Sequence, residues 1–107
     1  HVSEFTVAPV INPPEGRSHH QWLIEFDKRP ADMQCFAKDL DLALMNRNSY
    51  YKDLITGNVL DGLSITDLPK GTFTQFMKNR GKLGGQNKVP HLSNDRTIAE
   101  ELLKINL

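Results

Sequence analysis

The chain has a single cysteine, Cys35, no net charge and no apolar run longer than a few residues. One cysteine excludes an internal disulfide framework and an all-thiolate zinc site, and predicts a reducing, cytoplasmic setting. Thirteen Lys and Arg against thirteen Asp and Glu leave no overall charge to draw the chain to nucleic acid or an anionic membrane. Stretches such as Trp22-Leu23-Ile24 fall far short of the roughly 20 residues that cross a bilayer. The Gly-x-Ser-x-Gly elbow that activates a serine is missing, and so is the Gly-Lys-Ser/Thr of a Walker A loop. His19 and His20 are adjacent, so on a strand they point to opposite faces, and no second pair completes a metal-ligand set. No metal is expected. Residue 1 is His, and no charged-then-apolar leader precedes the first strand-like run. That predicts a piece of something longer, without a signal peptide.

What is there suits one ordinary globular domain over residues 1–107, with 38% hydrophobic and 24% charged residues. Val2, Phe5, Val7 and Val10 alternate loosely and predict a first strand over His1 to Ile11; Asn12-Pro13-Pro14-Glu15-Gly16 turns the chain. In Gln21 to Asp27, Trp22, Ile24 and Phe26 fall on one face and Leu23 and Glu25 on the other, a second strand. Arg29-Pro30-Ala31-Asp32 opens a helix whose stripe is Met33, Phe36, Ala37, Leu40, Ala43 and Leu44, with Lys38, Asp39 and Asp41 directed away from it. Cys35, beside that stripe, reads as a buried structural thiol. Residues 50–55 read as an edge strand or bent extended segment, and Leu60 to Leu68 as a further strand. Thr72 is the expected N-cap of a helix over Phe73 to Arg80, with Gly81 as its stop. Asn94 or Asp95 caps a last helix bearing Ile98, Leu102 and Ile105. The interleaving predicts an α+β fold, a small mixed β-sheet flanked by about three α-helices.

Local charge is concentrated where overall charge is absent. Lys78, Arg80, Lys82 and Lys88 lie between residues 77 and 91 with no acid among them. Gly81, Gly84 and Gly85 allow close approach of backbone to a ligand. Composition alone favours reading such a segment as a solvated loop. Lys88 differs from its neighbours because Pro90 fixes its own φ and biases Val89 toward extended geometry, so the ammonium leads into a rigid stretch. A nucleic-acid module using residues 78–88 would want aromatics interleaved with the cations, and none stands between 77 and 92 except His91. A small interaction module without a catalytic lysine is the remaining alternative.

Four stretches in order, Ser3-Glu4-Phe5-Thr6-Val7, His20-Gln21-Trp22-Leu23-Ile24-Glu25-Phe26, Lys70-Gly71-Thr72-Phe73 and Gln86-Asn87-Lys88-Val89-Pro90, resemble the C-terminal domain of the auxin-responsive Gretchen Hagen family of acyl-acid amido synthetases. That family belongs to the adenylate-forming superfamily. The resemblance covers nearly the whole chain, although the first helix and residues 48–58 match only in pattern. It implies a mobile lid domain of a two-domain ATP- and Mg2+-dependent ligase, whose N-terminal adenylating domain is the partner. Such an enzyme adenylates a carboxylic acid and passes the acyl group to an amine such as an amino acid. The family's lysine falls on Lys88, which implies a positive charge supplied during adenylation. Gly84 and Gly85 become a phosphate-proximal loop, and Arg80 and Lys82 docking residues against the larger domain. Neither membrane nor nucleic acid is an expected partner, and the lid alone is expected to be inactive. Asn87 stands where plant members have Tyr and His91 where they have Arg, departures that point to a bacterial or otherwise divergent member.

Overall fold

A computed structural model describes residues 2–81 and 91–105. Along them run β1 (Val2–Val10), β2 (His19–Phe26), α1 (Met33–Arg47), α2 (Ser49–Thr56), β3 (Ser64–Leu68), α3 (Thr72–Asn79) and α4 (Thr97–Leu103). The strands form one sheet in the order β1-β2-β3. β1 pairs antiparallel with β2, Phe5 opposite Ile24 and Val7 opposite Trp22, while β2 pairs parallel with β3, Leu23 opposite Thr66. A parallel pair needs a long crossover, and here α1 and α2 together supply it. The expected α+β fold with a small mixed sheet is the fold observed.

Helices cover both faces of the central strand, so Leu23, Ile24, Glu25 and Phe26 are all buried in succession. On one face Ala8, Leu23 and Leu68 meet Phe73 and Phe76 of α3 and Ala99 and Leu102 of α4, the dry core of the domain. On the other face α1 and α2 pack: the Phe26 ring meets Phe36 edge-on at 5.5 Å, and His20 lies 5.7 Å from Tyr51.

Residues 50–55 are helical, not extended. Two aromatics followed by Ile suggest a strand, but the Asn48 side chain accepts the Tyr51 N–H at 3.1 Å, and that cap starts α2. Tyr51, Leu54 and Ile55 then fall at helical spacing, and Tyr51 is buried.

The first helix starts later than its proline suggests. Asp32 is the N-cap, its Oδ1 accepting from Gln34 and Cys35 N–H at 3.0 and 3.1 Å, so Pro30 lies outside the helix. Its stripe lies against the sheet half-buried, with no residue fully buried, and Ala43 is exposed. Cys35 is exposed rather than buried, because it sits two residues on from Met33, off the stripe. Asp41 faces inward, not outward: it accepts from the Tyr51 hydroxyl at 2.5 Å and from Leu63 N–H at 3.0 Å. At α3 the cap is Gly71, at φ 92°, and the Thr72 hydroxyl instead donates to Pro69 O at 2.6 Å. The left-handed φ explains the glycine. Gly81 stops that helix at φ 70°, and Asp95 Oδ1 accepts the Thr97 N–H at 3.0 Å at the start of α4.

Candidate functional site

Lys82, Gly84, Gly85 and Lys88 lie outside the described residues. Both ends of the segment that carries them are described, and each is tied to a different part of the fold. Upstream, Arg80 closes α3 and Gly81 N–H bonds to Lys78 O at 3.0 Å. The Arg80 guanidinium grips both oxygens of Glu101 on α4, Nε to Oε2 at 3.0 Å and Nη2 to Oε1 at 2.9 Å, and lies 4.7 Å over the Phe76 ring. That bidentate bond holds the Glu101 carboxyl below and the Arg80 guanidinium above their ordinary pKa values. Arg80 therefore has an intramolecular partner, which the run of cations did not reveal.

Downstream, the chain lies along the free edge of β1. Val7 N–H donates to His91 O and Ser93 N–H donates to Val7 O, both at 2.9 Å, making a short parallel bridge between Val7 and Leu92. The His91 ring stacks on Phe5 at 4.2 Å between centroids, and Phe5 stacks on Trp22 at 5.2 Å. His91 Nε2 lies 3.2 Å from Glu4 Oε1.

Beside this edge a recess of ≈ 230 Å³ opens between the sheet and the α1–α2 layer. Val7, Trp22, Leu44 and Leu92 make it apolar, and His20, Asn48 and Tyr51 add polar groups. Burial holds the His20 imidazole below its ordinary pKa, reinforced by His19 and opposed by Asp41. Burial together with the Asp41 hydrogen bond raises the Tyr51 hydroxyl far above its ordinary value, so it remains a donor. Asp41 and Tyr51 went unrecognised in the sequence because they are 10 residues apart on different helices.

A second recess, of ≈ 290 Å³, lies at the carboxyl ends of the parallel strands β2 and β3, lined by Asp27, Arg29, Asp67 and Lys70 among others. Its charges pair off, Arg29 with Asp67 at 2.7 Å and Lys70 with Asp27 at 4.0 Å. Among the described residues no three His, Cys, Asp or Glu side chains gather as a metal site, and no helix is long and apolar enough to cross a membrane.

The three described stretches that carry the family resemblance meet in space. Glu25, ending one of them, accepts the N–H of Phe73, in the next, at 3.0 Å. A carboxylate at a helix N-terminus satisfies a donor that has no partner within the helix, and complements the helix dipole. Phe5 of the first stretch stacks on Trp22 of the second, and Val7 holds the residue that follows the fourth.

Residues 1–97 match the family model described as the GH3 family C-terminal domain. The chain belongs to the GH3 family. Two solved structures share the fold of this GH3 domain. One, described as "GH3.15 acyl acid amido synthetase", superposes with a TM-score of 0.72 at 17% identity. The other, "AtGH3.15 acyl acid amido synthetase in complex with 2,4-DB", gives 0.68 at 14% identity. Each match covers 95% of this chain and 19% of the other, so the GH3 domain described here spans about a fifth of those proteins. No curated protein matches it by sequence.

Proposed function

We propose that residues 1–107 form the lid domain of a two-domain acyl-acid amido synthetase, a ligase working in the cytoplasm. The whole enzyme adenylates a carboxylic acid with ATP and then passes the acyl group to an amine such as an amino acid. The observation that carries this reading is the GH3 C-terminal match over residues 1–97, joined to a fold shared with synthetases about five times longer. Mg2+ would neutralise phosphate charge during adenylation.

Lys88 is the residue assigned to chemistry. Adenylation brings a carboxylate against an already anionic triphosphate, and an ammonium set between them offsets the repulsion and orients the pair. The placement of such a charge depends on the chain that bears it, and that chain is tied at Arg80 to α4 and at His91 to β1. Gly84 and Gly85 are assigned to the phosphate-proximal part of the segment. Lys82, and Arg80 beside its Glu101 partner, are assigned to docking on the larger domain.

The test is acid-dependent pyrophosphate exchange by the full-length enzyme. Lys88→Ala is expected to lower the exchange rate by about 10²–10³. Undiminished exchange in that variant removes the lysine from the mechanism. Salt-sensitive binding of random oligonucleotides, with no exchange activity in the parent enzyme, would favour the nucleic-acid module instead.

A further inference from the structure

No group assigned to adenylation lines the recess between the sheet and the α1–α2 layer. At ≈ 230 Å³ it is larger than an engineered apolar cavity of about 150 Å³ that holds benzene. It is smaller than the roughly 300–1,000 Å³ of sites for drug-sized ligands. One ring, or two fused rings, is the size it fits. Its walls are flat as well as apolar. Trp22 and Tyr51 line it, and the His20 ring stands 5.7 Å from the Tyr51 ring with 36° between their planes. A planar ligand against such rings gains more than its buried area alone provides. Leu44 of α1 supplies an aliphatic wall, and Leu92, 68% exposed, offers further apolar surface to cover.

Three polar side chains interrupt this lining, and they differ in what they have left to offer. The Tyr51 hydroxyl is committed to Asp41 at 2.5 Å. The Asn48 Oδ1 is committed to the Tyr51 N–H at 3.1 Å, which leaves its Nδ2 amide. The half-buried His20 imidazole makes no hydrogen bond among the described residues. A neutral imidazole donates one hydrogen bond and accepts another, and burying such a group without a partner is costly. Burial, reinforced by His19 and opposed by Asp41, holds the ring below its ordinary pKa and so uncharged at neutral pH. Charge narrows the choice of occupant. Asp41 lies behind Tyr51, and among the described residues no Lys or Arg lines the recess. A carboxylate entering it would lose hydration with no cation to replace it.

We propose that this recess binds a small neutral planar molecule, one or two rings bearing a hydroxyl, set against Trp22 and Tyr51 and hydrogen-bonded to His20. The inference is independent of the role given to Lys88. Its ligand differs in class from the carboxylic acid of the adenylation reaction, since the recess has no cation to receive an acid. An occupant there touches the sheet at Trp22, the α1–α2 layer at Leu44 and Tyr51, and the β1 edge at Leu92, so it joins three parts of the fold.

The test is methyl NMR on the full-length protein, with the Val7, Leu44 and Leu92 methyl groups as reporters and phenol, toluene and benzoate as probes. Phenol is expected to shift all three reporters with a Kd of roughly 0.1–10 mM, as suits a ligand of so few atoms. Toluene, which lacks the hydroxyl, is expected to bind about fivefold more weakly, and benzoate at least about tenfold more weakly. His20→Phe keeps a ring and removes the nitrogens, and is expected to bring phenol down to the level of toluene. Leu44→Trp is expected to fill the recess and abolish the shifts at Val7 and Leu92. Reporters unmoved by phenol over that range overturn the inference. So does benzoate binding as tightly as phenol, or phenol keeping its advantage in His20→Phe. Overhauser contacts in the free protein that place other side chains of the protein inside the recess overturn it as well.

Discussion

The two faces of the sheet are built on different principles. Against α3 and α4 the packing is tightest, with Leu23 and Ala99 0% and Leu102 1% exposed, and it also buries Thr6, Glu25 and Thr72 among the apolar side chains. Against α1 and α2 no residue of α1 is fully buried, and a polar network of Asp41, Tyr51 and Leu63 N–H holds the layer. The first face removes side chains from water and supplies the bulk of the stability. The second is knitted by hydrogen bonds, each of modest net value, and it adjoins the recess at the β1 edge. The lysine segment is flanked by both: its upstream end is tied to the α3–α4 layer through Arg80 and Glu101, and its downstream end lies at the β1 edge.

Cutting the dry face is the most direct way to break this contrast. Leu23→Ala is expected to cost about 2–5 kcal/mol in denaturant unfolding, with Leu40→Ala on the half-buried stripe costing about 1 kcal/mol. Equal costs would show that the two faces share the burden. Glu25→Ala leaves the buried Phe73 N–H without its acceptor and is expected to cost about 1–3 kcal/mol. Tyr51→Phe removes only a hydroxyl from the polar face, and an expected loss of about 1–2 kcal/mol would confirm that this layer depends on the Asp41 bond.

A smaller effect sharpens the same contrast through pH. The fold holds the His20 imidazole below its ordinary pKa of 6.5, so between those two values the unfolded chain binds more protons than the folded one. The stabilisation linked to the neutral ring is complete above the ordinary histidine value and is lost as pH falls from there through the lower, folded-state value. Unfolding midpoints are expected to fall between about pH 7.5 and 5.5, and His20→Gln is expected to flatten that decline. An identical decline in His20→Gln would assign it to other groups.

Much of the fold was legible because its signals are local. The period-two pattern from Gln21 to Phe26, the helical spacing from Met33 to Leu44 and the Gly81 stop each lie within a few residues, and each element formed. Residues 50–55 misled because aromatic and branched side chains suit a strand, while the decisive signal was one capping side chain, Asn48. An acid on a helix usually faces solvent, and only the nearness of Tyr51 and Leu63 gives Asp41 a reason to turn inward. Of the candidate site, the family stretches and the cation run were readable. The Arg80–Glu101 pair, 21 residues apart, and the His91–Glu4 contact, 87 residues apart, were not.

By itself the sequence determined the interleaving of strands and helices, the α+β class and the family, because periodicity and motif order are properties of neighbouring residues. Only the tertiary structure decided that Glu25 caps α3, that Arg80 closes on Glu101 and that His91 latches onto β1. Such pairings join groups distant along the chain, and a side chain's partner is fixed by where the topology brings the other end, which no local pattern encodes.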